Sequence, residues 1–212
     1  DTFTEIDLPR FKKIKYFGSF WGMSKLKKFD LGNNPTLECV FLKNVDVEDD
    51  TIFENLNEIN VSKCKNLRVI DIEQAGEKFT ELDLSSNDKL NSLGLEGLRG
   101  LKQLKMPETD NLKEIVVKET ALESLALEKY TKLDKVCVGG NQFDILKINM
   151  EQKTEKDIEN MYLLFDNNLK VEFISSKSGI VPNIKRLDNH NLWAGIVFSN
   201  YVVTDYEIPE CW

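Results

Sequence analysis

The sequence predicts a solenoid of mainly β or α/β class, its coils stacked on a parallel sheet and closed by a C-terminal cap. Three observations predict it. An apolar triplet with the spacing Leu-x-x-Leu-x-Leu restarts every ten to twelve residues. Two families of such triplets alternate, and from residue 56 onward the members of each recur every 21 to 23 residues. A mostly small, hydrogen-bonding residue stands eight positions after each of the first five first-family starts. Units this short cannot bury their own apolar edges, so neighbours must stack into one continuous core.

The first family comprises Leu26, Phe29, Leu31; Leu56, Ile59, Val61; Phe79, Leu82, Leu84; Leu101, Leu104, Met106; Leu122, Leu125, Leu127; and Phe143, Leu146, Ile148. The second comprises Leu37, Val40, Leu42; Leu67, Ile70, Ile72; Leu90, Leu93, Leu95; Leu112, Ile115, Val117; and Leu133, Val136, Val138. Phe3, Ile6, Leu8 and Phe11, Ile14, Tyr16 extend the pattern backwards. One half unit is too short to close a coil, so the true repeat is the pair. The apolar-x-apolar ending of each half has the period of an extended strand, which sends the triplet residues inward and the intervening ones outward. Stacked coils pair these strands in parallel at roughly 4.8 Å. About six large apolar side chains per coil, at roughly 1.5–3 kcal/mol each, supply most of the favourable energy set against chain entropy. None of these slots holds a charge.

The residues at the fixed offset are Asn34, Cys64, Asn87, Thr109 and Tyr130. A coil leaves its strand through a tight turn whose inward backbone groups cannot reach water, and an inward Asn amide both donates and accepts there. Thr and Cys substitute in part. Simple turn preference is the competing explanation for Asn, but it does not account for Cys64.

Two breaks interrupt the pattern. The link between Leu42 and Leu56 lengthens and carries Asp46, Glu48, Asp49 and Asp50. A calcium loop of the helix-loop-helix type needs a central Gly that this stretch lacks. The expected element is an acidic loop or a helical turn ending in Ile52, Phe53 and Leu56, its carboxylates at the positive end of the dipole. After Met150 the triplets stop, which divides the chain into a solenoid over 1–150 and a cap over 151–212. Thr154 with Asp157 reads as a helix start, and Ile158, Met161, Tyr162 and Phe165 form an apolar stripe able to plug the last coil. Leu169, Val171 and Phe173 alternate with Lys170 and Glu172 as a half-buried strand does. Trp193, Ile196, Val197, Phe198, Tyr201, Val202 and Val203 read as further strand in the cap core; a docking patch is the alternative.

The segments Leu82-Asp83-Leu84-Ser85-Ser86-Asn87-Asp88-Lys89-Leu90 and Leu133-Asp134-Lys135-Val136-Cys137-Val138-Gly139-Gly140-Asn141-Gln142-Phe143 resemble the leucine-rich repeat family. They are most similar to its short-repeat type in bacterial cell-surface and secreted proteins, where an Asn-x-x-Leu half alternates with an Asn-x-Leu half. Asn87 to Leu90 shows the longer link; Asn141 to Phe143 and Thr120 to Leu122 show the shorter. The resemblance implies a curved, right-handed superhelix that binds protein or glycan without catalytic residues of its own, at the cell surface or in secreted form. Ala75, Leu98 and Tyr130 depart from the Asn-like slots, so the ladder of turn hydrogen bonds is expected to break at those coils.

Composition narrows the function classes. At 212 residues and 41% hydrophobic content, the chain carries enough apolar material for one packed core with a cap. A net charge of -8 argues against a nucleic-acid partner, since such binders gather Lys and Arg on one face. Lys12, Lys13 and Lys15, and Lys25, Lys27 and Lys28, lie among strand-like apolar residues and read as a solvated edge. No stretch is apolar for long enough to span a membrane as a helix. No leader pattern precedes the first triplet, as expected of a mature or trimmed product. Cys39 and Cys137 fall four coils apart, roughly 19 Å at strand spacing, beyond the roughly 7 Å limit for a disulfide. Cys137 with Cys211 requires a folded-back tail. The lone His190 has Ser199, Asp205 and Cys211 downstream, but no nucleophile sits in a Gly-x-Ser-x-Gly or comparable turn. No phosphate loop, His-Glu-x-x-His or Cys-x-x-Cys occurs, so no cofactor or metal is implied.

The expected function is therefore a monomeric, non-enzymatic binding module that takes a protein or glycan on the outward strand positions of the first family. These are Lys28 and Asp30, Glu58 and Asn60, Glu81 and Asp83, Gln103 and Lys105, Ser124 and Ala126, which run from acidic to basic along the stack. The second family's outward residues, including Phe41, Val69 and Val116, are more apolar: either the true interface, with Phe41 and Val116 as anchors, or a covered face. The rival reading is a spacer or stalk domain of a larger surface protein.

Overall fold

A computed structural model describes residues 4–7, 13–19, 23–32, 34–43, 53–175, 180 and 182–187. Over these the chain winds into a parallel-strand β-solenoid of about seven turns. Strands are numbered along the chain. The second triplet family builds one long wall in which β2 (Tyr16–Ser19), β4 (Cys39–Leu42), β6 (Val69–Glu73), β8 (Ser92–Glu96), β10 (Glu114–Lys118), β11 (Lys135–Gly139), β13 (Tyr162–Asp166) and β15 (Ile184–Leu187) pair in that order. The first family builds a segmented wall opposite. It consists of a ribbon of β1 (Glu5–Asp7), β3 (Lys28–Asp30) and β5 (Glu58–Asn60), then the pair β7 (Glu81–Asp83) with β9 (Gln103–Lys105), then the pair β12 (Ile145–Asn149) with β14 (Lys170–Ile174). Every pairing is parallel.

From Leu26 onward the registers stack the triplet residues above one another; Tyr16, expected to point inward, is exposed and pairs with Cys39, and Phe17 takes the place beside Val40. Val40, Ile70, Leu93, Ile115, Val136 and Leu163 form one inward column. Leu42, Ile72, Leu95, Val117, Val138 and Phe165 form the next. Across the core stand Phe29 over Ile59 and Leu82 over Leu104. All of these join a single apolar cluster running the length of the described solenoid, with Leu104 only partly covered. The cause is the strand period of two: alternate side chains share a face, so an apolar residue at every second position presents a continuous surface only when coils stack in register.

The corners follow one plan. The residue after each of four consecutive long-wall strands adopts positive φ, at Gln74 (57°), Gly97 (69°), Glu119 (49°) and Gly140 (66°). Glycine fits that region without penalty, whereas Gln74 and Glu119 are held in it by the ladders on either side. At the other corner the offset residues turn inward. Asn87 is fully buried, and its Nδ2 donates to the carbonyls of Val61 and Cys64 in the preceding coil, at 3.0 and 3.1 Å. Asn34 Nδ2 donates to the Leu31 carbonyl, Thr109 Oγ1 to the Asp88 carbonyl at 2.7 Å, and Tyr130 Oη to the Pro107 carbonyl at 2.7 Å. The expected donation is present; the expected acceptance is not at Asn87, whose Oδ1 has no partner. Ala75 and Leu98, buried at the long-wall corner, have no polar side-chain atoms and so break the side-chain ladder there, whereas Tyr130, expected to break the other ladder, continues it through its hydroxyl.

One expected element is corrected. Thr154 and Asp157 do form a capping box, Thr154 N–H donating to Asp157 Oδ2 at 2.8 Å and Asp157 N–H to Thr154 Oγ1 at 3.2 Å. The helix, α1 (Glu155–Asn160), nevertheless lasts only six residues and buries Ile158 alone. Met161 is its extended C-cap, and Tyr162 and Phe165 lie on β13, not on a helical stripe. Leu163, Leu164 and Phe165 are all buried. A short apolar run satisfies helical and strand spacing equally, and the unpaired edge of β11 decides for the strand. Strand pairing thus continues past Met150, where the triplet spacing fades, with β14 adding to β12 as its alternation leads one to expect. No helix among the described residues is long and apolar enough to cross a membrane. The acidic link at Asp46, Glu48, Asp49 and Asp50, the residues Phe3, Leu8, Phe11, Lys12 and Ile52, and the region holding His190, Trp193, Ile196, Val197, Phe198, Ser199, Tyr201, Val202, Val203, Asp205 and Cys211 lie outside the described residues.

Replacing Asn87 by Leu removes two buried side-chain donations and leaves the Val61 and Cys64 carbonyls only their turn bonds from the N–H groups of Cys64 and Leu67. It is expected to lower unfolding free energy by roughly 1–3 kcal/mol in urea titrations, and an unchanged midpoint would show that the corner amide contributes nothing.

Candidate functional site

The segmented wall presents its odd-parity residues to solvent because the residue between them must face the core. Glu58, Glu81, Asp83, Gln103 and Lys105 are exposed, and Lys28, Asp30 and Asn60 are half-buried. Ser124 and Ala126 are exposed as expected, but they lie in no strand.

Parallel register places these residues in columns. Lys28 stands beside Glu5 and Glu58, and its Nζ is 2.9 Å from Glu58 Oε1; that bond holds the lysine above its usual pKa despite slight desolvation. Gln103 stands beside Glu81 and Lys105 beside Asp83. Lys105 Nζ reaches back to Glu81 Oε1 at 2.7 Å and Asp83 Oδ2 at 3.3 Å. Asp83 also accepts from Ser85 N–H at 3.0 Å and Ser85 Oγ at 2.6 Å. These Ser85 bonds, with Lys105 after them, hold its carboxyl below the ordinary range. The hydrogen bonds from Glu81 and Asp83 raise Lys105. The expected run from acidic to basic is therefore folded into local groups: Lys28 with Glu58, and Lys105 with Glu81 and Asp83. β5 and β7 are not paired, so the two groups sit on separate ribbons.

Sequence reasoning did not reach the cleft beside the second group. A cavity of about 1220 Å³ lies between the coil of β9 and the next coil, with Gln103, Lys105, Ser124 and Ala126 on its walls and Leu104, Met106, Leu122 and Leu125 also lining it. It thus gathers four of the ten expected contact residues. The available signal was Tyr130, a large ring at a corner where neighbouring coils carry Asn, Cys or Thr.

The outer face of the long wall is different in kind. Lys43 lies 2.5 Å from Asp71 and 2.9 Å from Glu73. Burial works against its charge, but the two carboxylates outweigh it and leave Lys43 raised. Burial raises Glu73 in spite of Lys43. Lys118 is buried, with its Nζ 3.1 Å from Glu96. Val116, Cys137 and Leu164 form a small buried apolar cluster. Val69 and Val116 are buried, which at these positions favours the covered face over the apolar interface; Phe41 alone of the three keeps partial exposure.

Cys39, Cys64 and Cys137 are free and buried. β6, β8 and β10 separate Cys39 from Cys137, as the spacing argument requires. Among the described residues no group of three or more His, Cys, Asp or Glu side chains is arranged to hold a metal ion. In comparisons with known proteins, no family model matches the chain and no curated protein matches it.

Burial pushes the thiol of Cys39 up to about 12, and those of Cys64 and Cys137 to about 11. Thiolate is the reactive form, so iodoacetamide at pH 8 should leave all three unmodified in the folded chain and label them in urea. Mass-spectrometric mapping that found any of the three alkylated in the folded state would contradict this burial.

Proposed function

We propose that this chain is a non-enzymatic binding module, built as a short leucine-rich repeat array, which recognises a protein or glycan partner through the outward residues of the segmented wall. The family type is supported by the Leu-x-x-Leu-x-Leu spacing and the inward Asn corners, and by family resemblance the setting is the cell surface or the secreted fraction. The observation that carries the binding reading is the group of Glu81, Asp83 and Lys105 beside the cleft. Their side chains keep 47%, 47% and 55% of their exposure while being ordered by mutual hydrogen bonds. A polar pattern already ordered on strands loses little further freedom when a partner arrives, and a concavity next to it adds buried contact.

A spacer domain is the second reading. It is favoured by one observation, that Lys28 with Glu58 and Lys105 with Glu81 and Asp83 neutralise each other within the chain.

Glycan and surface-protein arrays probed with the wild-type chain and with the Glu81→Lys, Asp83→Lys double variant separate the two. Exposed ion pairs contribute roughly 0–1 kcal/mol, so the variant is expected to stay folded. A binding module predicts at least a tenfold rise in Kd, about 1.4 kcal/mol. No ligand for the wild-type chain, or equal affinity of the variant, overturns the reading in favour of a spacer.

A further inference from the structure

The segmented wall has a place where neighbouring coils do not pair. β9 pairs only with β7, and β12 only with β14. Between them, Ser124, Leu125 and Ala126 belong to no strand and take part in no backbone hydrogen bond. On the long wall the same two coils are tied together, β10 and β11 pairing over five residues from Glu114 with Lys135 to Lys118 with Gly139. The coils are therefore joined along one edge and open along the other.

Tyr130 is the corner residue that follows Glu128 and Lys129 of the cleft lining. The preceding coils turn this corner around an Asn, Cys or Thr side chain. Here a whole phenol ring is enclosed, with no exposure to solvent, and its hydroxyl is tied to the Pro107 carbonyl of the preceding coil at 2.7 Å. A ring of that volume cannot occupy the space of an amide, so it acts as a wedge. Leu104 and Met106 show the effect: both are only partly covered, whereas Leu82, Leu84, Leu146 and Ile148 at the same slots of other coils are fully buried.

We infer that this opening takes an extended peptide segment of a partner protein, added as a strand between β9 and residues 124–126. The inference rests on the binding-module reading and names the partner class for that site. Both walls carry backbone N–H and C=O groups without strand partners, and a strand edge of that kind is matched by another polypeptide backbone, not by a sugar ring. The partly bared Leu104 and Met106 call for apolar side chains at alternate positions of the incoming strand. The volume of about 1220 Å³ exceeds the roughly 300–1,000 Å³ of small-molecule pockets, as a groove for a chain segment does.

The test uses the full chain and a displayed library of random seven-residue peptides. Selection on the wild-type protein is expected to enrich peptides with apolar residues at alternate positions. These should slow hydrogen exchange at Leu104, Met106, Ser124, Leu125 and Ala126. Tyr130→Phe keeps the wedge and is expected to bind the same peptides within about twofold, whereas Tyr130→Asn, which lets the coils close, should weaken them at least tenfold. Ala126→Pro, which removes one wall N–H, gives the same loss without touching the wedge, and circular dichroism confirms that each variant is folded. Failure to enrich any peptide, or protection confined to other residues, overturns the proposal. So does protection of the same amides by concentration-dependent self-association, which would make a second copy the occupant. Selected peptides that lose affinity on Glu81→Lys with Asp83→Lys, but not on Tyr130→Asn or Ala126→Pro, would keep the binding-face reading and remove the strand site alone.

Discussion

The parallel backbone ladder of the long wall is the constraint on which the rest of the molecule depends. Eight strands from β2 to β15 share it, and it sets the rise from coil to coil at roughly 4.8 Å. At that rise the inward columns led by Val40 and Leu42 mesh as continuous apolar rows. The ladder also brings offset side chains within reach of the carbonyls one coil earlier, as with Asn87 and the carbonyls of Val61 and Cys64. The segmented wall has no such continuity. Its strands pair where the core residues and corners of adjacent coils allow, and they part where those do not.

Corner residues tune that spacing. Asn87 draws two carbonyls toward a compact amide, and Cys64 approaches the Gly32 carbonyl with its Sγ at 3.9 Å. Tyr130 meets the same need with a longer and bulkier group. The hydrogen bond is kept, and the segmented wall is unpaired at that coil. A solenoid whose strands were locked equally on both walls would have no freedom to absorb such a side chain. Here the long wall bears the registration, and the opposite wall is interrupted without disturbing the stack.

The two outer faces differ for reasons of packing. On the long wall, continuous pairing crowds outward residues together, and Val116, Cys137 and Leu164 close into a buried cluster while Lys118 and Glu96 pair under cover. On the segmented wall, three-residue strands and interrupted pairing leave charged groups such as Glu81, Asp83 and Lys105 open to solvent. Binding potential follows the less regular wall, where solvated polar groups and unsatisfied backbone edges lie next to each other.

The sequence by itself determined the stacked coils, the inward identity of the triplet residues from Leu26 onward, the outward direction of residues such as Glu81 and Lys105, and the capping box at Thr154. Each of these is written in local spacing, because side-chain direction along a strand or a helical turn is a property of neighbours in the chain. Tertiary structure alone decided the rest. Met161, Tyr162 and Phe165 left the helix because β11 offered an unpaired edge, a fact of another coil. Val116 disappeared from the surface because Cys137 and Leu164 came to lie beside it. The charged residues grouped as they did because the segmented wall is broken between β5 and β7. The cleft lies where residues 124–126 join no strand while β10 and β11 stay paired on the far side. Such outcomes depend on contacts between residues about twenty or more positions apart, and spacing within one repeat carries no record of them.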